Sequence, residues 1–441
     1  MHFMLVYVLN SDGVPLMPCS PGKARKLLNS GCAKVMNRTP FVIKLLYGSS
    51  GYKQPITLGV DSGSKVIGVA ALGNGKTLYA SVVKTRTDIH VKLNQRLSYR
   101  RTRRGRKLRY RKPRWQNRRR SGGWLTPTMR SKVQAHMREI NFVKSILPIS
   151  RLIIETASFD IHKIVNPDVS GEDYQNGRQK DFYNVKQFVL FRDEYSCQKC
   201  FNKKKDKKLH VHHVVFRSNG GMNSPDNLIT LCETCHDNLH AHENGEQESL
   251  KLQKKRQPKT AGAVQVSTIN SYLKKNLMFE ETFGYETKFK REILGLKKEH
   301  HIDAICAAIG YGEIIKLPTL IYQKACVAIG DYQQTSGQRS EKTIPTGKVM
   351  CFRKFDKTAW QGLELFIKGR MSTGYAILMD IHGKSVNLKP IPKLKIMKRL
   401  SARKSCLISA IHIENSLLNT TSFLSANGGF FWKRDLLVNV I

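Results

Sequence analysis

The sequence predicts a multidomain α/β protein, and three observations carry that prediction. At 441 residues the chain is long enough for roughly two to four domains of about 100–200 residues each. Short apolar runs of strand type alternate with helical patterns on both sides of a His/Cys-rich module that interrupts them. From residue 318 to about 400 the pattern changes to short strands with frequent Gly, which predicts a small β domain. With 40% apolar residues and modest Gly and Pro, the chain can build cores.

Taken in order, residues 3–9 read as a strand, followed by the turn Ser11-Asp12-Gly13. The second half of PLMPCSPGKARKLLNSG reads as a short helix that stops at Gly31. FVIKLLY (41–47) is a strand and residues 48–55 a linker. ITLGVDSGSKVIGVAAL (56–72) and LYASVVK (78–84) read as strands joined by a tight turn, and RLIIETASF (151–159) as a further strand. A polar connector (160–184) leads into the His/Cys-rich module at 185–245. A helix at 262–277, the segment GYETKFKREILG and a helix over HHIDAICAAIGYGEII follow. No internal repeat is present.

The charge is the strongest compositional signal. Lys and Arg number 75 against 33 Asp and Glu, a net +42. Self-repulsion on that scale excludes an ordinary metabolic enzyme and calls for a polyanion, of which nucleic acid is the usual one. The excess is concentrated: the 50 residues between Asp88 and Glu139 hold no carboxylate, and Arg96 to Arg120 holds 14 Lys/Arg in 25 positions. Good helix formers dominate that run. An ordered Arg-rich helix is expected, with Tyr99, Tyr110 and Trp115 interleaved for stacking. Arg96, Arg100, Arg101, Arg103, Arg104, Arg106, Arg109, Arg111, Arg114 and Arg118 are the candidate RNA-binding residues. A disordered basic tail is the competing reading, and the run's position between two apolar segments argues against it.

No apolar run reaches the roughly 18 residues a membrane span needs. The N-terminal MHFMLVYVLN lacks a basic leader and a small-residue cleavage site, so a cytoplasmic location is expected. Four of ten Cys form the pairs Cys197-x-x-Cys200 and Cys232-x-x-Cys235. Four thiolates satisfy a tetrahedral Zn²⁺ completely, so this site is structural and does no chemistry. Between the pairs lies LHVHHVVFRSNGGMNSPDNLITLC, in which the strand neighbours His212 and His213 point to opposite faces. Asn227 follows a Gly-Gly turn, and His236 follows the last Cys of the second pair. A zinc ribbon without catalysis is the plain alternative.

These residues match the HNH endonuclease motif, a ββα-metal fold. The resemblance implies that His212 and His236 bind one Mg²⁺, that His213 is the general base and that Asn227 orients it. His210, His240 and His242 lie outside the motif and read as surface residues. The chemistry is reasonable in itself, since a neutral imidazole takes a proton from water near pH 7.

Three carboxylates flank the module. Asp61 ends the run ITLGV, Glu155 ends RLIIE and Asp303 opens the helix HHIDAICAA. Singly each is weak, because an Asp after a strand is usually a turn residue. Together, in that order, they resemble the RuvC-type RNase H fold, whose carboxylates hold two Mg²⁺ ions around one phosphate. His300 matches the family's water-activating His in preference to His301.

RuvC segment one (55–88), an Arg-rich bridge helix (89–120), RuvC segment two and linker (121–184), the HNH module (185–245) and RuvC segment three (246–317) form one arrangement. It is shared by type II CRISPR effectors and their smaller transposon-encoded relatives, the IscB proteins. The PLMP sequence within residues 1–54 and stretches such as FIKGRMSTGYAILMDI resemble IscB, which implies a PLMP domain and a target-adjacent-motif-interacting β domain at 318–406. Residues 407–441 are unplaced. The resemblance implies an RNA-guided DNA endonuclease, monomeric within a ribonucleoprotein, whose partners are a guide (ωRNA-like) RNA and double-stranded target DNA with a flanking motif. Alternatives from other classes are an RNA-independent HNH endonuclease of homing or restriction type, and a non-catalytic zinc-stabilised RNA-binding protein.

Overall fold

The computed structural model describes residues 5–49, 51–105, 122–157, 182, 184–204, 206, 208–219, 221, 223–242, 244–252, 261–310, 315–328, 349–371 and 373–413. Of the Arg-rich run, Arg106, Arg109, Arg111, Arg114 and Arg118 lie outside the described residues.

Numbered along the chain, the first elements are β1 (Tyr7–Leu9), α1 (Pro21–Asn29), β2 (Ala33–Asn37), β3 (Val42–Leu45), β4 (Thr57–Asp61), β5 (Val66–Gly73) and β6 (Lys76–Lys84). Helices α2 (Ile89–Gly105) and α3 (Pro127–Ile146) precede β7 (Arg151–Glu155) and α4 (Val185–Arg192). Then come β8 (Leu209–His213), β9 (Leu228–Cys232), α5 (Glu233–Ala241), α6 (Gly245–Lys251), α7 (Ala261–Asn276), β10 (Glu280–Thr282), α8 (Gly284–Ile293) and α9 (His300–Ala308). The remainder is β: β11 (Leu320–Cys326), β12 (Lys357–Trp360), β13 (Leu363–Arg370), β14 (Ala376–Met379), β15 (Ser385–Val386), β16 (Lys398–Ser401) and β17 (Cys406–His412). The chain forms two compact units, Met1–Ser158 with Gln265–Ile441, and Phe159–Val264.

The first unit is built on a seven-stranded mixed sheet of order β10-β7-β4-β5-β6-β11-β17. Strand β5 runs antiparallel to its neighbours β4 and β6, β7 is parallel to β4, and β10 is parallel to β7. From Ile67 onward every residue of β5 is buried, the mark of a strand covered on both faces. On one face Val133, Ile140 and Val143 of α3 and Ile269 and Leu273 of α7 join Leu58, Val60, Val69 and Ala71. On the other, Ile302, Ala304, Ile305 and Cys306 of α9 cover Ala70 and Leu72. Buried charge also enters this unit. Lys324 of β11 donates to both oxygens of Glu139 on α3 at 2.8 Å, and the Tyr79 and Ser81 hydroxyls donate to the same carboxylate at 2.7 and 2.8 Å. Breaking such a pair strands a charge in the interior.

Two smaller sheets complete the unit. The order β1-β3-β2 forms the N-terminal one, with α1 started by Pro21 behind the capping Ser20. The order β15-β14-β13-β12-β16 forms the C-terminal one, around Phe352, Trp360, Ile367 and Leu378. Among the described residues no helix is long and apolar enough to cross a membrane.

The structure redraws several predicted boundaries. The run 56–72 divides into β4 and β5 on either side of Ser62–Lys65, and β7 stops at Glu155. Helix α9 ends at Ala308, where Ile309 turns extended ahead of Gly310. Strand β11, expected in the C-terminal β domain, pairs in parallel with β6, and β17, mostly from the unplaced tail, pairs with β11. Alternating apolar residues mark a strand without naming its neighbour, so the pairing was decided by the partners available in the fold.

The second unit holds α4, the antiparallel pair β8–β9 and helices α5 and α6. Its core joins Cys197, Val214, Ile229, Leu231, Cys232, Cys235 and Leu239. Asp193, after α4, accepts from the Thr230 amide at 2.8 Å and so ties that helix to β9.

Candidate active sites

In the first unit, Asp61 and Glu155 are the last residues of two parallel strands and are register partners. Their carboxylates therefore leave the same edge of the sheet side by side. Helix α9 brings the third acid. Its backbone lies so close to β4 and β5 that a Cβ on Gly59 would come 2.1 Å from the Ala304 carbonyl, and one on Gly68 1.8 Å from that of His300. Glycine at these two strand positions is thus what admits the helix. His300 Nδ1 meets Asp61 Oδ2 at 2.6 Å. That hydrogen bond, together with the charges of Asp61 and Asp303, raises the His300 pKa against the effect of burial. His301 is buried and turned toward Glu299, 3.3 Å away. Asp303 is paired with Arg291 of α8, a residue the sequence reading did not single out although GYETKFKREILG contains it.

Glu155 is the anomalous member. Burial and the charges of Asp61 and Asp303 push its carboxyl up to about 7, partly offset by Thr287. Its Oε2 is buried with no hydrogen-bond partner among the described residues. An unsatisfied carboxylate oxygen among three mutually repelling acids fits the all-oxygen donor set that a hard divalent cation requires.

In the second unit, β8 places His212 inward and His213 on the opposite face, and α5 follows β9 directly. Ring nitrogens of His212, His236 and His240 all lie within 4.8 Å of one another. His240, on the surface as expected, nevertheless stands with the two residues expected to ligate. Its four-residue spacing from His236 on one helix face was the available signal. Tautomers follow from the partners. The Ser249 hydroxyl donates to the Val214 carbonyl at 2.9 Å, so it accepts from His212 Nε2 at 3.0 Å, which leaves the Nδ1 lone pair of His212 available to a cation. His236 Nδ1 donates to Asp237 at 3.0 Å, which leaves its Nε2. Burial and the neighbouring His240, His236 and His213 hold His212 down at about 4, so it is neutral and able to ligate at pH 7. The three-imidazole set fits one divalent ion.

His213 Nε2 lies 2.7 Å from Asn223 Oδ1, and Arg217 Nε approaches the same nitrogen at 3.2 Å. The ring either donates to Asn223 or accepts from Arg217, so these two residues select its tautomer. Neither was singled out in the sequence. Asn227 is fully buried and clamps the backbone of Val215: its Oδ1 accepts from the amide at 2.8 Å and its Nδ2 donates to the carbonyl at 3.1 Å. It thereby fixes the chain two residues after His213.

The sulfurs of Cys197, Cys200, Cys232 and Cys235 lie within 4.8 Å of one another, a donor set that fits tetrahedral Zn²⁺. In the other unit, Arg96, Arg100 and Arg101 are exposed on α2. A cavity of about 420 Å³ between α2 and α3 is lined by Arg86, Lys92, Arg96, Arg130 and Arg138. Arg130 and Arg138 extend the basic surface beyond the predicted run.

A His on each face of a strand, a three-imidazole cluster shared by that strand and the helix after β9, and a thiolate site that fits Zn²⁺ point to a class, that of a nuclease. Comparison with known families agrees. Residues 197–242 match the HNH endonuclease family and residues 6–177 match the RRXRR protein family, so an HNH endonuclease domain and an RRXRR domain are both present. The type IV methyl-directed restriction enzyme EcoKMcrA of Escherichia coli (strain K12) is 32% identical over 69 residues, 14% of this chain and 25% of that protein. The chain thus spans about a quarter of that relative's length.

Proposed function

We propose that this protein is an IscB-like RNA-guided DNA endonuclease that cuts the two strands of its target at two separate sites. The observation that carries the reading is the convergence of Asp61, Glu155, Asp303 and His300 on one sheet edge, in a different unit from the HNH module. Three antiparallel strands continued by parallel β7 and β10 suit a RuvC-type RNase H-like sheet. The net +42 and the basic cavity beside α2 suit a structured guide RNA.

In this reading base pairing to the guide reads sequence, and the C-terminal β domain contacts a flanking motif in duplex DNA. His213 accepts a proton from the water that attacks the guide-paired strand, while Asn227 and Asn223 hold the loop and the ring. His300, oriented by Asp61, takes the corresponding proton at the carboxylate site, which cuts the displaced strand. Mg²⁺ held by Asp61, Glu155 and Asp303 at one site, and a divalent transition ion held by the nitrogens of His212, His236 and His240 at the other, would supply charge neutralisation of the phosphate when bound. The protein works as a monomer in a ribonucleoprotein in the cytoplasm.

With a matched guide, His213→Ala and Asp61→Ala should each turn double-strand cleavage into nicking, of opposite strands. Loss of both cuts in either variant with binding intact would contradict two independent sites. The similarity to a restriction enzyme favours a second reading, cleavage without a guide. Specificity that ignores the supplied RNA would establish it.

A further inference from the structure

The segment FGYETKFKREILG carries an exposed aromatic group with no part in the chemistry described above. Phe283 directly follows Thr282, the register partner of Glu155, so it sits one residue past the strand end beside that acid. The chain then passes the carboxylate closely: a Cβ on Gly284 would lie 3.1 Å from Glu155 Oε1. The rings of Phe283 and Tyr285, on either side of Gly284, lie parallel at 7° with centroids 6.0 Å apart. Phe289 is one helical turn beyond Tyr285 on the same face of α8. Tyr285 is 70%, Phe289 54% and Phe283 37% exposed.

Single exposed aromatics are ordinary. Three on one lip of an acidic site, two of them with parallel planes, are a different matter. Lys298 is exposed and near enough to Glu155 and His300 to act on both electrostatically, while the Tyr285 hydroxyl donates to Glu286. An exposed aromatic face next to carboxylates suited to a phosphodiester, with the Lys298 cation at those same acids, matches the two requirements of unpaired nucleic acid, stacking for bases and positive charge for backbone.

We propose that Phe283, Tyr285 and Phe289 form a stacking platform for bases of the displaced single DNA strand, and so position its phosphate on Asp61, Glu155 and Asp303. Duplex DNA is excluded because its bases are not free to stack on protein rings. The proposal rests on the reading of the carboxylate site as the one that cuts the displaced strand. These are positioning residues, acting through where the strand lies.

The test uses the full chain with its guide RNA and a target whose displaced strand carries 5-iododeoxyuridine near the cut, irradiated in Ca²⁺ so that binding is read without cleavage. Adducts are expected on the peptide containing Phe283, Tyr285 and Phe289, and should disappear in the Tyr285→Leu/Phe289→Leu variant, which keeps apolar bulk and removes two rings. In Mg²⁺ that variant should cut the displaced strand about tenfold less efficiently, through a raised KM, with the guide-paired strand cut at the normal rate. Tyr285→Trp should restore the loss. No adduct on this peptide, or adducts only when the iodinated base is placed in the guide RNA, would overturn the platform. The underlying reading is separable: it fails if Asp61→Asn still cuts the displaced strand, whatever the adducts, and Asp61→Asn should leave the adducts in place.

Discussion

The backbone of Gly68 lies directly under the carbonyl of His300, with room for a hydrogen and none for a methyl group, since a Cβ there would stand 1.8 Å from that oxygen. The contact fixes how near α9 comes to the sheet, and therefore where His300 and Asp303 stand relative to Asp61. Gly68→Ala should shift the helix at a cost of about 1–3 kcal/mol. Displaced-strand cleavage should fall at least tenfold with guide-paired cleavage unchanged. Equal loss of both cuts would mean the substitution acts through global unfolding, which a thermal melt would report.

Glu155 predicts a trade between stability and activity. Its carboxyl is pushed from 4.5 to about 7 in the folded chain. Below pH 4.5 both folded and unfolded forms are protonated and there is no penalty. As pH rises toward 7 the unfolded chain ionises while the folded one resists, so stability falls by up to about 3 kcal/mol and stays lower above pH 7. Glu155→Gln should raise Tm at pH 8 in EDTA, have little effect at pH 4, and abolish displaced-strand cleavage. Millimolar Mg²⁺ should narrow the Tm gap by stabilising the ionised wild type.

The Glu139–Lys324 pair should be intolerant of single changes. Both side chains are buried, and Lys324 also lies 4.1 Å from the centroid of the Phe142 ring. Lys324→Met leaves an uncompensated carboxylate and should cost about 3–5 kcal/mol in urea unfolding, and adding Glu139→Gln should recover part of it. Strictly additive losses would argue that the pair is not coupled.

In the HNH module, Ser249 holds the tautomer of His212. Ser249→Ala should weaken activation by a divalent transition ion about ten- to a hundred-fold, read as the Mn²⁺ concentration giving half-maximal guide-paired cleavage, and excess Mn²⁺ should restore the rate. His240→Ala should weaken it at least as much. A half-maximal concentration unchanged in His240→Ala would remove that residue from the cation site.

Much of this was legible in the chain. The Cys pairs, the His-His step and the Arg run are local features, set by spacing of a few residues, and local spacing survives folding. The apolar runs that end in Asp61 and Glu155 marked strands for the same reason. Arg291, Asn223 and Ser249 were not legible, because each acts on a partner 12, 10 and 37 residues away through side-chain contact. His240 was readable in principle from its helical spacing to His236.

By itself the sequence determined most of the strands and several of the helices, though not α3, together with the excess of positive charge and the types of residue available for chemistry. Tertiary structure decided which of them meet. Asp61 and Glu155 are neighbours because two parallel strands align in register, and Asp303 joins them because two glycines let a helix approach. It also decided the ionisation of Glu155 and His212, because burial and neighbouring charge exist only once the chain is folded.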